Sequence, residues 1–176
     1  MEKLRAAVIG VGYLGRFHAQ KYATLPDCTL VGVVDQRPEA AAQLASELGV
    51  RALGDYRELF GQVDAVSIVT PTPLHFEMAR AFLEQGAHVL VEKPITETVA
   101  QAQELIALAR QRGRVLQVGH LERFNPGHHC GRAAAALATL HRMPAARAVS
   151  RAWHRCQRGA RSDDSRSGYR AEYRRQ

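Results

Sequence analysis

Short apolar runs alternate with segments of helical periodicity from Leu4 to His120. The apolar runs are LRAAVIG, TLVGVVD, VRAL, DAVSIVT, HVLVEKP and RVLQVGH. The helix-like segments include Tyr13 to Leu25, PEAAAQLASELG, PLHFEMARAFLEQG and Val99 to Arg112. Strands of this length that alternate with helices build a parallel sheet covered on both faces. Because crossovers are right-handed, the pattern predicts an α/β fold with a doubly wound Rossmann sheet.

A glycine-rich turn within AAVIGVGYLGRFHAQKY separates the first strand from the first helix. Gly10, Gly12 and Gly15 have the G-x-G-x-x-G spacing of dinucleotide-binding turns. Gly10 allows the tight turn, Gly12 lets the backbone approach a pyrophosphate, and Gly15 lets the helix pack on the strand. The helix N-terminus at Tyr13 and Leu14 then faces the phosphates.

Asp35 closes the second strand, 20 residues after Gly15. A carboxylate at this position can accept hydrogen bonds from both ribose hydroxyls of a dinucleotide. This favours NAD, because a 2′-phosphate would meet the charge of Asp35. Arg37 can pair with such a phosphate, so NADP stays open as an alternative.

Two further segments, VTPTPLHFEMA and HVLVEKPIT, follow the carboxyl ends of predicted strands, where ligands bind in such sheets. Together with the glycine turn, they resemble the Gfo/Idh/MocA family of oxidoreductases from Arg5 to about Pro126. The resemblance implies that Lys93 lies beside the nicotinamide and the substrate hydroxyl as a proton-relay or orienting group. It also implies that His75 lies near the nicotinamide ribose and that Pro94 shapes the turn.

The predicted site is therefore a cofactor site with Lys93 as its catalytic residue. Its residues are Gly10, Gly12, Tyr13, Leu14, Gly15, Asp35, Arg37, Thr70, Pro71, His75, Glu92, Lys93 and Pro94. Structural roles account equally well for His18 and Glu92. No metal site is predicted, because the three cysteines, Cys28, Cys130 and Cys156, lack paired metal-ligand spacing.

The segment VGHLERFNP resembles family members that act on nucleotide sugars, most of all UDP-N-acetylglucosamine 3-dehydrogenases. This resemblance implies that Arg123 and Asn125 bind the diphosphate or the sugar; a surface linker is the alternative interpretation. The chemistry that the family implies is hydride transfer between a secondary alcohol of a sugar and C4 of the nicotinamide.

The positive charge of the chain is concentrated beyond Pro126. Residues 127–176 contain 11 arginines and three acidic residues, whereas residues 1–126 contain 13 Lys and Arg and 14 Asp and Glu. The only Leu, Ile, Val or Phe residues of the tail are Leu137, Leu140 and Val149, fewer than a packed core needs. We therefore expect a dinucleotide-binding domain over 1–126 and an irregular or disordered basic tail over 127–176.

The family resemblance stops at Pro126, where a substrate domain with a general acid or base should follow. Codons can be chosen for Trp153 to Arg170 that, when translated from one base later, encode GTDVNVVLDLMIHDLDI. This string resembles the missing family segment. Other parts of the tail allow similar strings in the same frame. These matches favour a one-nucleotide frameshift close to Pro126.

Several functions are compatible with these features. The chain is a truncated or frameshifted dehydrogenase that binds its cofactor, an oxidoreductase completed by another chain, a non-catalytic dinucleotide-binding module, or a basic-tailed nucleic-acid binder. Nucleic-acid binding is disfavoured because Trp153, Tyr169 and Tyr173 lie in no recognised module. Without a bilayer-spanning apolar run or a signal peptide, we expect a cytoplasmic protein with no membrane partner. A homo-oligomer is compatible with the intact form.

Overall fold

The computed structural model of the protein describes residues 3–121. In this part of the chain the strands are β1 Leu4–Ile9, β2 Cys28–Val34, β3 Arg51–Leu53, β4 Ala65–Ile68, β5 His88–Val91 and β6 Leu116–Val118. The α-helices are α1 Tyr13–Thr24, α2 Pro38–Leu48, α3 His75–Glu84 and α4 Val99–Arg112. Short 3-10 helices cover Tyr56–Leu59 and Thr72–Leu74.

The six strands form one parallel sheet in the order β3-β2-β1-β4-β5-β6. This order confirms the predicted doubly wound Rossmann sheet. The strand order switches direction at β1, because β2 pairs with one side of β1 and β4 pairs with its other side. A ligand crevice is expected at the carboxyl ends of these two strands.

Apolar clusters cover the two faces of the sheet. The larger cluster contains Phe82, Leu83 and Leu105 of α3 and α4, and they pack on side chains of β4 and β5. The smaller contains Ala19 and Leu44 of α1 and α2, packed on β1 and β2. Since both faces of the central strands are buried, these strands are continuous apolar runs rather than alternating ones.

Local signals in the sequence define the ends of the later helices. Pro38 occupies the first turn of α2, and Gly49 ends that helix with a φ of 68°. Thr98 and Gln101 form a reciprocal capping box at the start of α4, which ends at Gly113 with a φ of 63°. Because the strands are parallel, the loops that lead from β2 to α2 and from β5 to α4 lie at the same edge of the sheet.

Residues 3–120 belong to one compact unit. The predicted boundary at Pro126, the substrate residues Arg123 and Asn125, the basic tail and the frameshift all lie outside the described residues. They stay predictions.

Arg5 and Asp64 join the start of β1 to the residue before β4. The Arg5 guanidinium donates to the Asp64 carboxylate at 2.7 and 3.1 Å, and the Arg5 backbone N–H donates at 2.9 Å. These hydrogen bonds from Arg5 lower the pKa of Asp64 to about 2. The unfolded carboxyl has a pKa of about 3.9. The pair therefore contributes its full stability above that value and loses it as pH falls towards 2.

We expect Asp64→Asn to lower the midpoint of thermal unfolding at pH 7. The substitution should also flatten the decline of that midpoint between about pH 4 and pH 2, because Asn has no proton to gain. Calorimetry over this pH range measures both effects. Glu97→Gln, a change at another exposed acidic residue, is the control and should leave the acid decline intact. An unchanged midpoint in Asp64→Asn at pH 7 would contradict the assigned pair.

Candidate cofactor site

The turn after β1 requires glycine at two positions because of the packing of the protein itself. Gly10 has a φ of 87°, and a β-carbon there would overlap the carbonyl oxygen of Val69. A β-carbon at Gly15 would overlap the carbonyl oxygen of Gly10. Gly10 therefore permits the tight turn and Gly15 the close approach of α1, as the spacing predicts.

Gly12 is different, because nothing in the described protein requires glycine there. Its φ of −63° is accessible to any residue, and a β-carbon would meet no atom within 4 Å. Gly12 is the N-cap of α1 and provides no side-chain cap to the first turn of that helix. The open space therefore lies in front of helical N–H groups that lack intrahelical partners, an arrangement suited to an anion.

Asp35 lies directly beside this turn. The Val11 N–H donates to Asp35 Oδ2 at 2.8 Å, and the Arg37 N–H donates to Asp35 Oδ1 at 2.9 Å. The Arg37 side chain adds a contact from Nε at 3.3 Å. Burial raises the pKa of Asp35, but the hydrogen bonds from Arg37 and Val11 outweigh it and hold that pKa below its ordinary value. Asp35 is consequently an ionised acceptor at neutral pH, and it ties the glycine turn to the end of β2.

A cavity of about 600 Å³ opens at the carboxyl ends of β1, β2 and β4. The predicted site residues that line it are Gly10, Gly12, Asp35, Arg37, Thr70 and Pro71. Tyr56, Arg57 and Glu77 also line the cavity, although the sequence did not indicate them. A signal was present, because Asp55, Tyr56 and Arg57 closely follow the short strand β3 and ligands bind at this end of strands.

The other predicted residues do not line this cavity, namely Tyr13, Leu14, Gly15, His75, Glu92, Lys93 and Pro94. Tyr13 is 81% exposed, and Leu14 is 42% exposed. His75 is buried, with Nε2 at 2.8 Å from the Thr70 carbonyl oxygen and Nδ1 at 2.9 Å from that of Pro94. His75 thus holds the loop after β4 against the loop after β5.

Lys93 and Glu92 follow β5 and point to different environments. Lys93 is exposed, whereas Glu92 is only 6% exposed. The Lys93 backbone N–H donates to Glu92 Oε2 at 3.2 Å, and the Lys93–Pro94 peptide bond is cis. Because β5 pairs with β4, and β4 with β1, Lys93 is at the same edge of the sheet as the glycine turn.

These residues fit a dinucleotide. The space at Gly12 admits a pyrophosphate at the start of α1, and the ionised Asp35 lies where a ribose is expected. Fold and site together define a nucleotide-binding Rossmann domain. The family model for the Gfo/Idh/MocA oxidoreductases, described as an NAD-binding Rossmann fold, matches residues 4–120. The chain belongs to this family and carries its NAD-binding domain.

Curated relatives include dehydrogenases named for sugar and nucleotide-sugar substrates. The chain is 48% identical over 126 residues to the UDP-N-acetylglucosamine 3-dehydrogenase of Acidithiobacillus ferrooxidans. It is 36% identical over 130 residues to the scyllo-inositol 2-dehydrogenase (NAD(+)) of Bacillus subtilis. Each alignment covers 72% of this chain, but only 40% and 38%, respectively, of the relative. The chain thus spans well under half the length of these relatives.

Solved structures agree with this assignment. The Acidithiobacillus ferrooxidans enzyme superposes with a TM-score of 0.70 at 47% identity, covering 76% of this chain and 44% of that structure. GenD2 from gentamicin A biosynthesis, solved in complex with NAD, superposes with a TM-score of 0.73 at 32% identity. That alignment covers 77% of this chain and 40% of GenD2. The predicted NAD cofactor is confirmed at the level of the domain.

Within residues 3–121, no helix has both the length and the hydrophobicity that a membrane span requires. No group of three or more His, Cys, Asp or Glu side chains in this range is arranged to hold a metal ion. The cytoplasmic location stays a prediction.

Proposed function

We propose that this domain serves an NAD-dependent oxidoreductase acting on a secondary alcohol of a sugar or nucleotide sugar. The observation that carries the proposal is the placement of the glycine turn and the exposed Lys93 at one edge of the sheet, across the neighbouring strands β1, β4 and β5. The relatives named for such substrates support the substrate class.

In this proposal, some groups of the chain bind the cofactor, and Lys93 acts on the proton of the substrate hydroxyl. The N–H groups at the start of α1 hold the pyrophosphate, and Asp35 holds a ribose. Lys93 orients the substrate hydroxyl and takes part in moving its proton. His75 keeps the loops after β4 and β5 in contact. When bound, the nicotinamide supplies hydride chemistry that no side chain provides.

A non-catalytic dinucleotide-binding module is the second candidate. The composition of residues 127–176 favours it, because this part differs from the substrate domain that the family resemblance leads us to expect. A one-nucleotide frameshift near Pro126 would account for both the intact cofactor domain and the unrelated tail. We therefore propose that the catalytic function belongs to the protein translated from DNA shifted by one base after the Pro126 codon.

We expect Asp35→Ala to bind NAD about tenfold more weakly, because the ribose loses a charged hydrogen-bond acceptor. Binding of NADP should change less or improve, because the 2′-phosphate no longer meets a carboxylate. The measurement is calorimetric titration with both cofactors. The ratio of the NAD and NADP affinities is the decisive quantity, because a general loosening of the glycine turn would weaken the binding of both cofactors to the same extent.

Glu77→Gln is the matched control for Asp35→Ala. Glu77 is an exposed acidic residue that lines the same cavity. Its substitution should leave the NAD to NADP affinity ratio unchanged. If Asp35→Ala also left the ratio unchanged, the carboxylate would not be the ribose ligand and the proposed orientation of the cofactor would be wrong.

A further inference from the structure

A buried polar chain connects α1 with the turn that carries Lys93. Tyr22 and His18 of α1 both contact Ser67 of β4, with 2.6 Å between Tyr22 Oη and Ser67 Oγ and 3.2 Å between His18 Nδ1 and Ser67 Oγ. On the other side of the ring, His18 Nε2 lies 3.4 Å from Glu92 Oε1. Ser67 is fully buried, and the side chains of His18 and Glu92 are 13% and 7% exposed.

Glu92 has one oxygen in use and one without a hydrogen bond. Oε2 accepts from the Lys93 backbone N–H. Oε1 has no hydrogen-bond partner among the described residues, and it is packed so tightly that a β-carbon at Gly119 would overlap it. A buried carboxylate oxygen without a donor is costly. His18 Nε2, at 3.4 Å, is the ring nitrogen placed to direct an N–H towards this oxygen.

Only one arrangement of protons satisfies every member of this chain when His18 is neutral. Tyr22 O–H donates to Ser67, Ser67 O–H donates to His18 Nδ1, and His18 Nε2–H points at Glu92 Oε1. The opposite tautomer would direct a lone pair of His18 at the carboxylate. Protonation of His18 would place an N–H opposite Ser67, which would then have to turn its own proton away from the ring.

We propose that His18 is a positioning residue which, through Glu92, fixes the Lys93 peptide relative to the glycine turn on α1. This goes beyond the proposed function, and it rests on that function only for the role of the Lys93 side chain. The coupling itself joins His18, Glu92 and Lys93, which all lie in the described part of the chain, and it needs no bound ligand.

The charge state of His18 follows from its surroundings. Burial lowers the pKa of His18 below its ordinary value, and the nearby Glu92 carboxylate opposes part of that shift. The groups that contact His18 are the neutral Ser67 of β4 and Glu92 after β5, and Tyr22 of its own helix contacts it through Ser67. Because this pKa lies below its ordinary value, the ring is predominantly neutral at pH 7.

Nuclear magnetic resonance of the ¹⁵N-labelled full chain tests the coupling directly. We expect the His18 ring at pH 7.5 to be the Nε2–H tautomer, and the Lys93 amide shift to titrate with the same midpoint as the ring. Glu92→Gln should remove this titration from the Lys93 amide. His88→Gln is the control at a second histidine, whose Nδ1 accepts the Val115 backbone N–H, and it should leave this titration unchanged. An Nδ1–H tautomer, or a Lys93 amide that ignores the titration of His18, would overturn the proposal.

Ligand binding separates a positioning role from a merely structural one. His18→Phe should weaken NADH binding about fivefold while ADP-ribose, which lacks the nicotinamide, keeps its affinity. His18→Gln, which retains a donor towards Glu92, should restore most of the NADH affinity. Equal weakening of both ligands by His18→Phe would reduce His18 to a packing residue and overturn the proposal.

Lys93→Ala distinguishes failure of this inference from failure of the proposed function. It should lower NADH affinity relative to ADP-ribose as His18→Phe does. Suppose that Lys93→Ala leaves the ratio of NADH to ADP-ribose affinity unchanged, while in the parent chain the Lys93 amide shift still titrates with His18. The positioning of the Lys93 peptide by His18 would then stand. The placement of the Lys93 side chain beside the nicotinamide would then be wrong.

Discussion

Gly12→Val is expected to abolish measurable NAD(H) binding while leaving the domain folded, with only the small loss of stability that an apolar N-cap causes. A valine at this position meets no protein atom within 4 Å of its β-carbon, and the φ of −63° suits it. Its side chain would instead fill the space where the pyrophosphate approaches the start of α1. We expect an affinity loss of at least about a hundredfold, since both the close approach and its charge-assisted hydrogen bonds are lost.

Gly15→Ala is the matched comparison within the same turn. Its single added methyl group overlaps the Gly10 carbonyl oxygen, so the helix must move away from β1. We expect a loss of unfolding free energy of about 1 to 3 kcal/mol, as for other overpacked sites. Thermal unfolding and calorimetric titration on both variants separate the two roles. A Gly12→Val chain that binds NADH normally would show that the pyrophosphate lies elsewhere.

The sheet and the glycine turn could be predicted because their signals are local. Each strand is an apolar run bounded by a turn, and the spacing of Gly10, Gly12 and Gly15 lies within a single strand-to-helix connection. The sequence also placed Asp35 correctly at the end of β2, where the structure shows it beside Val11. The motif also predicts a separate reason for each glycine, and the contacts agree at Gly10 and Gly15, where a β-carbon would overlap a backbone carbonyl oxygen. Only three-dimensional contacts show that Gly12 is the one of these three glycines without such an overlap.

The buried chain from Tyr22 to Glu92 could not be predicted in the same way. Its members belong to α1, β4 and the turn after β5, and only the sheet order brings these elements together. The sequence left His18 and Glu92 with structural roles as an equal alternative, because an isolated histidine on a helix gives no partner. His75 shows the same limit. Its contacts with Thr70 and Pro94 depend on how two separate loops pack.

The second large effect concerns turnover. We expect this chain to oxidise UDP-N-acetylglucosamine at no detectable rate. The chain translated from DNA shifted by one base after the Pro126 codon should oxidise it readily. Residues 3–121 supply the cofactor turn and Lys93, but hydride transfer also needs a sugar held in position. Correct orientation alone contributes roughly 7 to 11 kcal/mol to lowering such a barrier.

The assay is the absorbance of reduced nicotinamide with UDP-N-acetylglucosamine and related sugars, at equal concentrations of the two proteins. Titration with NADH first establishes that both bind cofactor, so that a difference in turnover reports on the substrate side alone. In the shifted chain, Lys93→Ala should reduce kcat by about a hundredfold to ten-thousandfold, the range for loss of a positioned proton-transfer group. Comparable turnover by both chains would show that residues 127–176 build a working substrate site, and the frameshift would then be the wrong explanation for their composition.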